Sequence, residues 1–375
     1  MKNTFGNQIC LTLYGESHGP AIGAVLDGLP AGLVVDEAFV AACMDKRRAR
    51  GDGLSTGRTE ADAVRILSGV YQGRTTGTPL TLQIENTNAR PADYASASVM
   101  LRPGHADYTA YARYDGWQDP RGGGHFSGRL TAALTAAGAL CLSALQAKGV
   151  AIATHLYRCA GVADTPFAGD DPAVLARQMQ SVMACTGFPL VDAAAQAPMQ
   201  QRIRAAGAQG DSTGGLLETA VTGLPAGVGE PFFDSVESML AHMAFSIPAV
   251  KGIEFGTGFG FADLTGSAAN DPLYNAGGRV ATRTNHNGGI NGGLTNGMPL
   301  VFRTVIKPTP SIFQPQQTVT WPELAPAALR LQGRHDPCIA PRAAIVQTCA
   351  AALVLCDLVS VRYGPGWLCP DGPQL

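Results

Sequence analysis

A chain of 375 residues with 46% hydrophobic and 15% charged side chains is long enough to bury a large core and too apolar to stay disordered. Its net charge of -2 excludes a global attraction to nucleic acid or an anionic membrane, so an anionic ligand has to be met by a local cluster of Arg and Lys. Nine Cys without C-x-x-C spacing, and an opening Met-Lys-Asn-Thr-Phe-Gly without a basic-then-apolar leader, lead to the expectation of a reduced, cytoplasmic protein.

Residues 9–14 and 21–26 are predicted as strands from their β-branched and apolar content, and 36–48 as an amphipathic, acid-containing stretch. That stretch ends in a basic run, Lys46, Arg47, Arg48 and Arg50, which is either a solvated face or a charge cluster for a polyanion. A further strand is predicted at 79–84. In Arg102-Pro103-Gly104-His105-Ala106-Asp107 the Pro-Gly turn presents His105 from a loop. Flanked by Arg and Asp, it can titrate near neutrality, as acid–base chemistry requires; an ordinary surface turn would carry the same residues and, taken alone, is the favoured reading.

Arg121, three glycines (Gly122, Gly123, Gly124), His125, Phe126, Ser127 and Arg129 then lead into an Ala-rich run, 127–147, apolar nearly all round and predicted as a buried helix. Glycines at a helix N-terminus let backbone N–H groups approach a phosphate, and the two bracketing arginines sharpen that reading. Residues 161–171 read as loop.

From residue 210 the chain repeats itself at an offset of 195: segments 15–32 and 210–227 share eight identities in eighteen positions, where roughly one or two would arise by chance. Gly-Leu-Pro-Ala-Gly stands at 28–32 and again at 223–227, and amphipathic stretches follow at 36–48 and 232–245. We read this as a duplicated strand–turn–strand–helix unit, near 9–50 and 205–250. Only the first copy carries an imidazole, His18, where the second has Thr213.

The Gly- and Asn-rich segment 285–297 implies tight backbone, either with amides free to meet a ligand or as a glycine-rich hairpin. A strand at 300–306 leads to Lys307-Pro308-Thr309-Pro310-Ser311, whose ammonium and hydroxyls suit a phosphate. Gly333 to Cys338 packs Arg334, His335 and Asp336 ahead of a second apolar helix, 342–356, whose apolar stretch is too short for a membrane span and ends at Asp357. A lone carboxylate there is costly if buried without a partner, which marks Asp357 as a candidate functional acid, with a paired structural carboxylate as the alternative. Residues 364–375 are expected to form a loose tail.

In order and approximate spacing these segments resemble the chorismate synthase family. Gly15-Glu16-Ser17-His18-Gly19, Arg102 to Asp107 and Gly333 to Cys338 carry the likeness, and Ile66 to Val70 and Ile84 to Thr87 fit it too. The resemblance implies an α+β fold, a β-α-β sandwich with long buried helices between antiparallel sheets, one domain over 1–375, assembled as a homotetramer with neither nucleic acid nor membrane as partner. It implies a lyase that removes phosphate from 5-enolpyruvylshikimate 3-phosphate by 1,4-anti elimination to give chorismate. Reduced FMN (FMNH2) is the cofactor so implied, with no metal, and with NADPH left open as reductant.

On the same resemblance His18 protonates the departing phosphate, His105 belongs with the reduced flavin, and Ser17, Ser127 and Asp357 relay a proton. FMN is expected at His125, Phe126, Ser127, Pro248, Ala249, Gly292, Lys307, Pro308, Thr309, Pro310, Ser311 and Arg334. The substrate is expected at Arg47, Arg129, Arg334 and Asp336; several arginines suit its phosphate and two carboxylates, about four negative charges. Three places depart from the common pattern: His125-Phe126 where many members have Arg-Ser, Gly53 where a second basic residue often stands, and Pro248 for a common Asn. The rival readings are a flavin enzyme for another phosphorylated substrate and a flavin- or phosphate-binding protein without activity.

Overall fold

The structure, a computed structural model, describes residues 3–55, 61–87, 100–331, 333 and 335–369. One sheet contains β1 (Thr4–Phe5), β2 (Cys10–Gly15), β3 (Ala21–Asp27), β4 (Val64–Ser68) and β5 (Leu80–Glu85), in the order β1-β2-β3-β5-β4. The other contains β6 (Ala151–Cys159), β7 (Val162–Ala163), β8 (Gly215–Thr222), β9 (Val250–Phe255) and β10 (Leu300–Ile306), in the order β9-β10-β8-β6-β7. Neighbouring strands in both sheets run antiparallel.

The main helices are α1 (Glu37–Arg47), α2 (Asp107–Tyr114), α3 (Thr131–Ala147), α4 (Pro172–Ala184), α5 (Gln196–Ala208), α6 (Val236–Ser246) and α7 (Ala340–Tyr363). Helix α3 lies on the first sheet and α7 on the second, and the two pack against each other. This is the sandwich of long helices between antiparallel sheets that the sequence led us to expect. The Ala-rich composition has a steric reason. A Cβ at Gly138 would lie 2.2 Å from the carbonyl oxygen of Cys349, so α3 and α7 meet backbone to backbone and only small side chains fit between them.

Helix α7 does not stop at Asp357. It runs 24 residues to Tyr363, about 36 Å at 1.5 Å per residue. By length and composition it, like 128–147, could cross a membrane, which corrects the expectation of too short a span. The fold explains that composition, because 89% of the apolar window of α7 and 72% of that of 128–147 are buried within the protein.

The repeat is visible as matching hydrogen bonds. Gly32 N donates to Thr75 O and Leu33 N to Thr75 Oγ1, while Thr75 Oγ1 donates to Pro30 O. Gly227, Val228 and Pro225 make the same three bonds with Thr295. The boundaries differ from those read in the sequence, however. The segment matching β2 at an offset of 195 falls at the end of α5, a helix, so the strand–turn–strand part is not duplicated in place. By position in the sheet, the counterpart of β2 is β6, and α4 and α5 are inserted between it and β8. The tail expected to be loose is docked as far as Cys369: Trp367 and Leu368 are buried.

Beneath the second sheet lies a buried charge network. His155 Nδ1 meets Asp164 Oδ2 at 2.8 Å and its Nε2 meets Glu218 Oε2 at 3.0 Å. Burial works against charge on this ring, but the bonds to Asp164 and Glu218 outweigh it and raise the pKa. Stability from this imidazolium is therefore complete below the unfolded value of about 6.5 and lost as pH rises through the raised folded value. We expect the His155→Gln variant to lose that alkaline component of its melting-temperature profile; an unchanged pH dependence would show that the ring does not titrate.

Candidate active site

A cavity of about 410 Å³ opens where the C-terminal end of α1 and the N-terminal ends of α3 and α7 converge with the segments 102–107, 118–129, 247–249 and 307–311. That volume falls within the range of roughly 300–1,000 Å³ usual for small-ligand sites. Among the described residues its wall carries six permanent cations (Arg47, Arg48, Arg102, Arg129, Lys307, Arg342) against four carboxylates (Asp62, Asp107, Asp119, Asp336). Two helix N-termini add to the positive field, so the local cluster demanded by a weakly charged chain is present.

His18 sits in the turn between β2 and β3. Asn86 Nδ2 pins that turn by donating to Glu16 O and Gly19 O, and Ser17 N donates to Gly124 O at 3.0 Å. The buried His18 ring lies against Gly122, where φ is +62° and a Cβ would come 2.3 Å from His18 Cδ2 and 2.5 Å from Nε2. The glycines at 122–124 are all at positive φ; Gly122 makes room for the imidazole, and Gly124 for the close approach of Asp119 O. A Gly122→Ala variant should keep its fold yet lower kcat about tenfold or more by displacing His18, in steady-state assays paired with a thermal melt. Unchanged kcat would remove this constraint.

His105 lies at the start of α2, its Nε2 2.7 Å from Ser311 Oγ. Burial, reinforced by the Arg102 guanidinium, lowers its pKa to about 4, so the ring is neutral at neutral pH. This corrects the expectation of a histidine titrating near neutrality. The reason is burial, which outweighs the favourable charge of Asp107, itself bonded to Arg102 Nε at 2.8 Å and Nη2 at 2.7 Å.

Ser17, Phe126, Ser127, Pro248, Ala249, Lys307, Thr309, Pro310 and Ser311 all line the cavity. Ala249 holds φ at +76°, unusual for a residue with a side chain, and its carbonyl accepts from Lys307 N at 2.9 Å. Lys307 Nζ donates to Gly104 O at 2.6 Å, linking the 307–311 segment to the His105 turn.

Arg47 and Arg129 flank the buried carboxylate of Asp62: Arg47 Nη1 lies 3.0 Å from Oδ2, and Arg129 Nη1 contacts Oδ1. Burial opposes ionisation of Asp62, but Arg47, Arg129 and Arg48 more than offset it and lower the pKa. Asp336 accepts from Arg342 Nη1 at 2.9 Å with both oxygens.

Several expected site residues are elsewhere. Asp357 does not line the cavity; it lies eleven residues along α7 from Val346, which does, or about 16 Å. Its carboxylate accepts from the backbone N–H groups of Asn7, Gln8 and Ile9 at 2.7–3.1 Å, so the buried acid has partners and they are structural. Gly292 turns the hairpin Ile290–Asn291/Leu294–Thr295 and is not in the cavity wall. Pro308 and His125 are also absent from the wall; His125 Nδ1 instead meets Gly15 O at 2.8 Å. Arg334 lies outside the described residues.

The 285–297 segment is no open amide cradle. Asp271 accepts from His286 N, Asn287 N and Asn287 Nδ2, and a Cβ at Gly288 would strike Gly256 N at 2.5 Å. Sequence reasoning gave no role to Asp62, Asp119 or Arg342, and it read Arg102 and Asp107 only as charges flanking His105, not as partners of each other.

Comparison with known proteins points one way. The family described as chorismate synthase matches residues 9–360. The chorismate synthase of Aeropyrum pernix is 42% identical over 369 residues, covering 98% of this chain and 96% of its own length. That of Archaeoglobus fulgidus is 43% identical over 360 residues, covering 96% and 98%. A crystal structure of a chorismate synthase superposes with a TM-score of 0.75 at 25% identity, covering 96% of this chain and 94% of the other.

Proposed function

The chain belongs to the chorismate synthase family, and from that membership we infer that it converts 5-enolpyruvylshikimate 3-phosphate to chorismate by 1,4-anti elimination of phosphate, using reduced FMN. The observation that carries the reading is the convergence of segments from Ser17 to Asp336 on a single cation-rich cavity.

The residues present fit the cofactor. Phe126, the neutral His105–Ser311 pair and half-buried Ala249 offer the aromatic, uncharged surface that a flavin ring needs, and Lys307 with Thr309 offers donors for its phosphate. Reduced FMN, when bound, lends electron density to the substrate as the carbon–oxygen bond breaks. The protein's part is positional and electrostatic. Arg47 and Arg129 hold the substrate's anionic groups, and His18 gives a proton to the oxygen of the departing phosphate. Ser17 and Ser127, which line the cavity, are assigned to pass a proton on. The carboxylate of that relay has to line the cavity, which favours Asp336 in the place expected of Asp357.

The test is an anaerobic assay of the purified chain with photoreduced FMN and 5-enolpyruvylshikimate 3-phosphate. Phosphate and chorismate should appear in equal amounts, and only with the flavin reduced. Absence of turnover would sink the reading, and binding of both ligands without turnover would favour a silent flavin-binding protein.

Finer proposals go with it. NADPH is proposed as reductant on the resemblance alone, to be checked by NADPH consumption with oxidised FMN and no added reductase. A homotetramer is proposed with support from exposed Trp117, Phe232, Phe233 and Phe259, apolar surface suited to burial between copies. Light scattering should give a mass four times that of the chain. A reducing, cytoplasmic setting is proposed on the cysteine pattern alone, nine Cys without C-x-x-C spacing.

A further inference from the structure

Asp62 is an acid in a cavity that, on the reading above, takes up a polyanion. Its side chain is 1% exposed, those of Arg47 and Arg129 are 7% and 8% exposed, and each of its oxygens faces one of the two guanidinium groups. A carboxylate there blocks the charge-assisted contacts that an anionic ligand would make with the same groups.

Two reasons to keep it can be told apart: aiming the arginines, or neutralising them. The hydrogen bonds argue against aiming. Arg47 is held independently by Thr131 Oγ1, which accepts from Nε at 3.1 Å, and by Gly128 O, which accepts from Nη2 at 3.1 Å. Arg129 is held by Asn86 Oδ1, which accepts from Nε at 3.0 Å. Both forks keep their direction without Asp62. Neutralisation is what remains, because two guanidinium groups buried side by side without a counter-charge are strongly unfavourable.

We propose that Asp62 is a placeholder counter-ion, which neutralises Arg47 and Arg129 in the ligand-free protein and is displaced by an anionic group of the substrate. The proposal rests on the functional reading above. It makes affinity a competition, in which the substrate gains the two arginines only by evicting a tethered carboxylate.

The test compares wild type, Asp62→Asn and Asp62→Glu as full-length proteins. Calorimetric titration with 5-enolpyruvylshikimate 3-phosphate, and separately with inorganic phosphate, should show Asp62→Asn binding about tenfold tighter than wild type, since the competing charge is gone. Its ligand-free melting temperature should be several degrees lower. Asp62→Glu, which keeps the charge, should bind no tighter than wild type. Should Asp62→Asn fail to fold, hydrogen exchange on the wild type decides: substrate should lower protection at 61–64 if Asp62 is displaced. Equal or weaker binding by Asp62→Asn, or a rise in protection at 61–64, overturns the placeholder while leaving the enzyme's function intact. A wild type that neither binds nor turns over the substrate overturns the functional reading and this proposal with it.

Discussion

His18→Ala should lower turnover by about two orders of magnitude or more, the usual cost of losing a positioned general acid, while the melting temperature stays close to that of wild type. The expectation follows from what else the cavity offers. His105 is neutral at neutral pH and already engaged with Ser311, so it is poorly suited to give up a proton in place of His18. Asp119 is held ionised chiefly by its bonds to Arg121 and to a lesser degree by the charge of His18, so it is no acid either. The arginines would still bind the phosphate, which predicts that the loss falls on kcat and leaves KM nearly unchanged. A variant with undiminished kcat would refute the role of His18 as acid.

Asp357→Ala should do the opposite. We expect a loss of about 3 kcal/mol or more of stability, because the backbone donors of Asn7, Gln8 and buried Ile9 would lose the carboxylate that, among the described residues, accepts from all three. Turnover per folded molecule should stay near wild type, because Asp357 is remote from the cavity. Denaturant melts alongside active-site-normalised kcat would separate the two effects. A hundredfold fall in kcat with an unchanged melt would return Asp357 to the chemistry.

These two residues also show what the sequence discloses. His18 was legible because its motif is local: a Gly-bounded turn between two apolar strands presents one imidazole, and the second copy of the unit lacks it. Strand β10 was predicted at its observed limits, since its apolar run is bounded by a Pro on each side within two residues. Asp357 was read as either a functional acid or a paired structural carboxylate; the partners that favour the second lie about 350 residues away in sequence and leave no local trace. The same holds for Asp62, whose neighbours Ala61 and Ala63 carry no signal and whose meaning comes only from the arginines that the fold brings to it. The glycines at 285–297 left two readings open for a related reason. Tight backbone looks alike in sequence whether it meets a ligand or, as here, another stretch of backbone.

The most direct test of the account is a crystal structure of the chain with FMN and 5-enolpyruvylshikimate 3-phosphate bound. Both ligands should occupy the cavity walled by His18, His105, Arg129 and Ser311, with the phosphate of the substrate on the arginines beside His18. Either ligand bound outside that cavity, or His18 and His105 facing separate pockets, would contradict it.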